Sequence, residues 1–461
     1  MPSFSGKFKY IEAGGNPLQE GSCRLSFDEE RFTLAPAGGT PLAGDLADID
    51  IFSPGDYELR LKLYTGRTIL LTHFAKDFQN LCRDLLEAWR TRLIQCLLLE
   101  DLEEIARFDG VAQLDASEDK LSSRAEIRLY KSNLAILPEG ANGFSWRLAD
   151  IDNVDFDEAT YTLGLRSDQD RLILTCMAKR TREFIDKLQE AMTRFLEKSV
   201  STLHDLFPFL TPDQTRQVAD LAREGRAAPV SKLNAIHPKA EEALLQRAVD
   251  KSLKPYFTAL KEKLAGEEYY CGFKFIRPEV GEEEPEEKAE ETPASAPDDS
   301  DAEAPPPEED AAGAETGEEN EAEKEEPVLH WFFFPIRAGE TGAHANIVAW
   351  EATSRGGRAT YFFRLLPRDH AARLQDKEQA SGAVQEAVRS LNRAIVLLNF
   401  RREPIYLPDD SLATQPRFHR YAIASRKIPT LRQLRASFLG RALHTGLETW
   451  QKQVQTIIAR A

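Results

Sequence analysis

The sequence predicts an α+β fold. Two successive modules of short antiparallel strands, each ended by one amphipathic helix, lead into a helical spacer and a C-terminal α+β domain. Three observations carry this reading. The pentapeptide Leu-Ala-Asp-Ile-Asp occurs at 46–50 and again at 148–152. The apolar period changes within each copy from two residues to about 3.6. Charge is divided sharply along the chain.

The duplication extends well beyond the pentapeptide. Tyr57-Glu58-Leu59-Arg60-Leu61 aligns with Tyr161-Thr162-Leu163-Gly164-Leu165, and Arg67-Thr68-Ile69-Leu70-Leu71 with Arg171-Leu172-Ile173-Leu174-Thr175. Upstream, Leu25, Phe27, Phe32, Leu34 and Pro36 match Ile127, Leu129, Leu134, Ile136 and Pro138. The offset stays at 102 to 104, which defines two repeats, 1–98 and 99–198.

Within the first repeat, 22–27 and 31–34 are short alternating runs separated by Asp28-Glu29-Glu30. Segments 46–52, 57–63 and 68–74 continue as strands, broken by Ser53-Pro54-Gly55-Asp56 and Thr65-Gly66-Arg67. Phe78, Leu81, Cys82, Leu85, Trp89 and Leu93 then fall on one helical face, as Phe184, Leu188, Met192, Phe195 and Leu196 do in the second repeat. A helix of this kind plugs an open end of a strand barrel and buries its apolar stripe there.

That plan resembles the pleckstrin-homology-like (PH-like) superfold, in two copies over roughly 5–98 and 104–198. The resemblance rests on strand count, helix placement and a bulky residue late in the helix, Trp89 and Met192. It implies tandem antiparallel β-barrels, each closed by a C-terminal helix and used for protein or peptide docking. The family's phosphoinositide binders carry a Lys in the first hairpin and an Arg-x-Arg pair on the next strand. Here Lys7 and Lys9 are followed by Arg24-Leu25-Ser26, and Lys120 by Arg128-Leu129-Tyr130, so that ligand is not implied.

Residues 199–267 are expected to form a helical spacer packed on the second repeat. Thr211-Pro212 opens one helix, Gly225 stops it, and a second runs from His237-Pro238 through Leu260. Residues 268–278 supply a strand of the C-terminal domain. Residues 279–326 hold 22 acidic and 2 basic side chains with almost no apolar content, a composition expected to remain disordered. Apolar strands flank this tract on both sides, which suggests a long loop inside the last domain with its ends close together. In that domain, 327–461, strands are expected at 346–353, 359–366 and 405–407, with helices at 383–400 and 430–458. It carries 20 basic and 10 acidic residues, and 17 of its cations are Arg, the residue suited to bidentate contact with phosphate or carboxylate.

Candidate sites follow from these patterns. Segment 411–447 has no acidic residue and carries Arg417, Arg420, Arg426, Lys427, Arg432, Arg435 and Arg441, candidates for contact with an anion or partner. Arg355 and Arg358 flank Gly356-Gly357 in what reads first as a hairpin turn holding two guanidiniums at its tip for an anion contact, and only secondarily as an Arg-Gly-Gly-type RNA contact. Asp48, Asp50, Asp150 and Asp152 are spaced as paired carboxylates, but a strand edge whose aspartates face water or close a turn accounts for them better. No catalytic motif is present, and no spacing of the five cysteines or eight histidines indicates a metal or cofactor site. The longest apolar runs are far short of a membrane span, and no leader is visible, so a cytoplasmic setting is expected.

The function these features suggest is a non-enzymatic docking or scaffold protein. Its PH-like modules are expected to hold protein or peptide partners, and the acidic tract to tune the basic C-terminal domain through an intramolecular contact. The alternative is a nucleic-acid-associated protein using its Arg-rich end. Membrane attachment is disfavoured.

Overall fold

The computed structural model describes residues 1–115, 120–168, 170–266, 268–275, 328–338, 345–353, 359–365 and 377–460. The acidic tract, Arg355 and Arg358 lie outside the described residues. The structure is α+β, with three sheets among the described residues.

The first repeat contains strands β1 (Ser3–Ile11), β2 (Pro17–Phe27), β3 (Arg31–Pro36), β4 (Leu42–Asp45), β5 (Ile49–Pro54), β6 (Glu58–Leu63) and β7 (Thr68–Thr72). Their order across the sheet is β4-β3-β2-β1-β7-β6-β5, with antiparallel neighbours throughout. The second repeat supplies β8 (Glu104–Asp115), β9 (Lys120–Tyr130), β10 (Asn133–Pro138), β11 (Phe144–Arg147), β12 (Asn153–Asp157), β13 (Thr162–Ser167) and β14 (Asp170–Thr175). Its order, β11-β10-β9-β8-β14-β13-β12, is the first order shifted by seven. Helices α1 (Phe78–Cys96) and α2 (Thr181–Leu206) follow the respective sheets.

In each sheet β4 and β5, or β11 and β12, are the two edges, and no ladder joins them among the described residues, so strand pairing establishes an antiparallel sheet in each repeat and not a closed barrel. One expectation about the repeats needs correcting. The Leu-Ala-Asp triplet that spans those edges is a single 3-10 turn and not the start of a strand. In the first copy Asp45 caps it: its side chain accepts from Ala47 N–H at 2.8 Å, while Asp48 accepts from Asp45 N–H at 3.3 Å. Burying Leu46 and Ala47 then fixes the turn against the core.

α1 buries Phe78, Leu81, Leu85, Trp89 and Leu93 among Leu25, Leu34, Phe52, Leu59, Leu61 and Leu71 of its sheet. Trp89 stacks on Phe52 at 5.7 Å and donates from Nε1 to the Ile49 carbonyl at 3.1 Å. In the second repeat Phe184 meets Phe108 edge-on at 5.0 Å. β10 is buried along its whole length, because Leu134 and Ile136 enter their own core while Ala135 and Leu137 join the core of the first repeat.

After α2 come α3 (Pro212–Leu221), α4 (Val230–Ile236), α5 (Ala240–Ala248) and α6 (Lys254–Lys261). Thr211 and Gln214 form a capping box at α3, as the Thr-Pro signal anticipates. The helix expected to run from His237 to Leu260 is two helices. Asp250 accepts from the N–H groups of Ser252 and Leu253 at 2.7 and 2.9 Å, which turns the chain between them.

The third sheet runs in sequence order: β15 (Ala228–Pro229), β16 (Tyr270–Phe275), β17 (Val328–Ile336), β18 (Ile347–Ala352), β19 (Ala359–Arg364) and β20 (Phe438–Leu443). This meander does not have the strand order of the repeats. The strands that bound the acidic tract in sequence, β16 and β17, are sheet neighbours, so the intervening chain connects adjacent strands. α7 (Lys377–Leu397) lies on one face, where Asn392 accepts from Trp331 Nε1 at 3.0 Å. On the other face Phe257 of α6 packs edge-on against Phe332 and Phe334 at 5.0 and 4.9 Å.

The C-terminal part also departs from expectation at two places. Residues 405–407, expected as a strand, belong to α8 (Glu403–Tyr406) and its cap, with Pro404 in the first turn. The helix expected over 430–458 is α11 (Pro429–Ser437), then β20, then α12 (Leu447–Arg460). Phe438 leaves the helix because its ring packs on Tyr361 and Phe363 at 6.3 and 5.8 Å while its backbone pairs with β19. α9 (Asp409–Thr414) and α10 (His419–Lys427) precede α11. Trp450 anchors α12 by donating from Nε1 to Thr360 Oγ1 at 2.9 Å.

Candidate functional site

The duplicated Asp-Ile-Asp segments form two equivalent cation sockets. Each offers two carboxylates and the carbonyl between them, displayed where the 3-10 turn meets the following strand. In the first repeat the occupant is the C-terminus of α10. Lys427 spends all three ammonium donors, on Asp50 at 2.5 Å, the Ile49 carbonyl at 3.1 Å and Asn142 at 3.4 Å. Arg426 pairs with Asp48 at 3.3 Å and lies 4.9 Å over the Tyr64 ring. The Ile49 carbonyl therefore accepts from both Trp89 and Lys427. Beside these polar contacts Ile423 packs on Ala47 and Cys96.

In the second repeat the matching acceptors meet different cations. Arg223 donates to the Ile151 carbonyl at 3.0 Å, and Arg226 to Asp152 at 3.0 Å. Asp150 is gripped bidentately by Arg147, with both contacts at 2.8 Å. Arg393 Nε stands 3.8 Å from Asp150, and Arg389 and Arg393 both bind Asp168. Ahead of the repeated turn, Asp45 in copy one and Arg147 in copy two occupy equivalent positions with opposite charge. Asp45 accordingly takes its cation from outside the turn, from buried Arg92 at 2.7 and 3.0 Å.

The two sockets differ electrostatically. Burial raises the Asp48 carboxyl above its ordinary range against the opposing pull of Arg426. Burial acts the same way on Asp150, but Arg147, Arg393 and Arg226 together outweigh it and hold that carboxyl low.

The candidate basic residues of 411–447 are dispersed over several contacts. Arg420 binds Glu100 at 2.6 Å and Asp101 at 3.3 Å. Arg435 donates to Leu407 O at 2.8 Å and Asp409 at 2.6 Å, and also to Pro404 O. Arg432 donates to the Arg426 carbonyl, and exposed Arg417 lies 4.5 Å over Phe418. Arg441 sits on β20, not on a helix, and covers the Tyr406 ring at 4.4 Å. Only Arg426 and Lys427 are brought together at one socket. Arg223, Arg226, Arg389 and Arg393 are not distinguished by the sequence pattern, although the i, i+4 spacing of the last two in a helix was a readable signal.

Among the described residues no group of three or more His, Cys, Asp or Glu is arranged to hold a metal ion. Nor is any helix there long and apolar enough to cross a membrane.

No protein-family model and no curated protein sequence matches this chain. Among solved structures, Vav1 inhibited by an allosteric inhibitor aligns at 15% identity and a TM-score of 0.18, over 27% of this chain and 42% of that one. A structure addressing the PH and C1 domains of the Vav1 exchange factor aligns at 14% and 0.18, over 26% and 42%. The Spt16D Pob3N heterodimer aligns at 18% and 0.15, over 36% and 84%. The chain thus spans under half the length of the Vav1 structures it matches. These alignments are local, each covering about a quarter to a third of this chain.

Proposed function

We propose that this chain is a docking protein without catalysis of its own, in which two PH-like modules present protein- or peptide-binding surfaces and the C-terminal part clamps onto both. One observation carries the reading. Tyr57 and Tyr161, at equivalent hairpin tips, are 70% and 54% exposed, and both sit at positive φ, 56° and 52°. That backbone region is costly for a bulky side chain and suits Gly or Asn. Both copies nevertheless place a largely exposed aromatic ring there, resting on Phe78 at 5.8 Å in the first and on Phe156 at 6.2 Å in the second, and tyrosine is among the residues that dominate protein interfaces. The acidic tract enters the proposal through charge alone, as a salt-sensitive modulator of association. Nucleic-acid association stands second, because Arg420, Arg426, Lys427 and Arg435 already engage acceptors of the chain itself.

The test is affinity capture with the full chain and with a Tyr57→Ser, Tyr161→Ser double variant, each with and without nuclease. The expected result is a nuclease-resistant protein partner, bound by the wild type and lost from a double variant whose melting temperature is unchanged. Partners that vanish on nuclease treatment, or that persist on the double variant, would remove the tyrosine tips from the account.

A further inference from the structure

The second socket opens onto a shallow, solvent-open crevice lined chiefly by Arg226, Arg389, Asn392, Arg393, Asp150 and Asp168. We propose that this crevice binds a phosphate-sized oxyanion, as inorganic phosphate or as the terminal group of a small phosphorylated molecule.

The cations there are held in place before any ligand arrives. Arg389, Asn392 and Arg393 share one face of α7 at i, i+3 and i+4. Arg226 follows Gly225, whose carbonyl is pinned by Arg147 at 2.7 Å and Asn392 at 2.9 Å. Gly225 has φ +79°, and a Cβ there would lie 2.6 Å from Arg147 Nη1, so the backbone beside Arg226 admits only glycine without rearrangement. Asp168 binds both Arg389 and Arg393 and is itself oriented through its N–H, which donates to Asp152 at 3.0 Å.

These ion pairs use few of the available donors. A guanidinium has five N–H groups. Arg226 and Arg389 each commit a single nitrogen, Nη1, to a carboxylate, while Arg393 shares Nη2 between Ser167 and Asp168. Among the described residues their remaining N–H groups make no further hydrogen bond, Arg393 Nε standing 3.8 Å from Asp150, and none is among the fully buried unpartnered atoms. The charges are also unequal. In this network Arg147, Arg223, Arg226, Arg389 and Arg393 face Asp150, Asp152 and Asp168, five cations against three anions, an excess of two. A phosphate dianion would offset that excess, and planar guanidinium forks suit its oxygens. The carboxylates at the crevice are each engaged by a guanidinium, which limits their repulsion of an incoming anion.

The experiment is isothermal titration of the full chain with inorganic phosphate at fixed ionic strength, repeated with glycerol phosphate and with chloride. The expected result is saturable binding of phosphate or the phosphomonoester but not of chloride. The stronger of the two identifies the source. Arg389→Gln should weaken it about tenfold or more, while Arg417→Gln, an exposed cation elsewhere, should not. Arg226→Lys is the second variant, because it retains the charge and the pairing with Asp152 while removing the fork. It should also weaken binding, with an unliganded melting temperature close to wild type. No saturable binding by the wild type, or binding unchanged in both Arg389→Gln and Arg226→Lys, would overturn the site.

Discussion

At the residue scale, Asp48 and Asp150 are equivalent in sequence yet opposite in energetic sign. The Asp150 carboxyl is held below its ordinary value by guanidiniums. Its contribution to stability is therefore fully present above the unfolded pKa, near 3.9, and is lost as pH falls through the lower folded value. The Asp48 carboxyl is raised by burial, so its contribution is present below the unfolded pKa and lost as pH rises through the folded value. At neutral pH, Asp150→Asn should cost about 2–3 kcal/mol, whereas Asp48→Asn should be neutral or slightly stabilising. Urea unfolding from pH 3 to 7 measures both, and equal losses at pH 7 would contradict the assignment. The sequence displays the two aspartate pairs, but a strand edge or turn is as far as it leads. Their partners lie up to 378 residues away in the chain, and no local pattern encodes a contact of that range.

At the scale of elements, legibility followed periodicity. The repeats and the helices that follow them were readable because the period-two strands and the 3.6-residue helix both recur in register. β20 was not readable. Leu431, Leu434, Phe438 and Ala442 keep helical spacing, and only pairing with β19 decides the chain's path. Close approach inside the third sheet was also hidden: a Cβ at Gly272 would stand 2.3 Å from the Trp331 ring, which is fully buried. Gly272→Ala should therefore cost about 3 kcal/mol or more, read by thermal or urea unfolding. Replacing Lys427 tests α10 more gently. Its side chain is only 7% exposed and all its donors are used, so Lys427→Met should release the helix end locally. Faster amide exchange confined to α10 and α11 is the expected readout, and uniform change across the protein would argue against a discrete clamp.

At the scale of the whole molecule, the acidic tract falls in sequence between two neighbouring strands of one sheet. Its flanking strands, β16 and β17, are neighbours in one sheet, and Lys274 and His330 belong to that sheet whatever joins them. The flanking apolar runs made this legible in the sequence, since two strand-like segments around a charged insertion imply a shared sheet. Loop-closure entropy rises only with the logarithm of length, about 0.6 kcal/mol per doubling, so replacing residues 279–326 with a few Gly and Ser residues should stabilise the fold by roughly 1.5 kcal/mol. The melting temperature should rise by a few degrees at most and should not fall. Because 22 carboxylates leave with the tract, any change in partner binding by that variant reports charge and not folding. If the melting temperature fell sharply instead, the tract would be contributing to the structure, and the modulator role proposed for it would have to be rebuilt on direct packing.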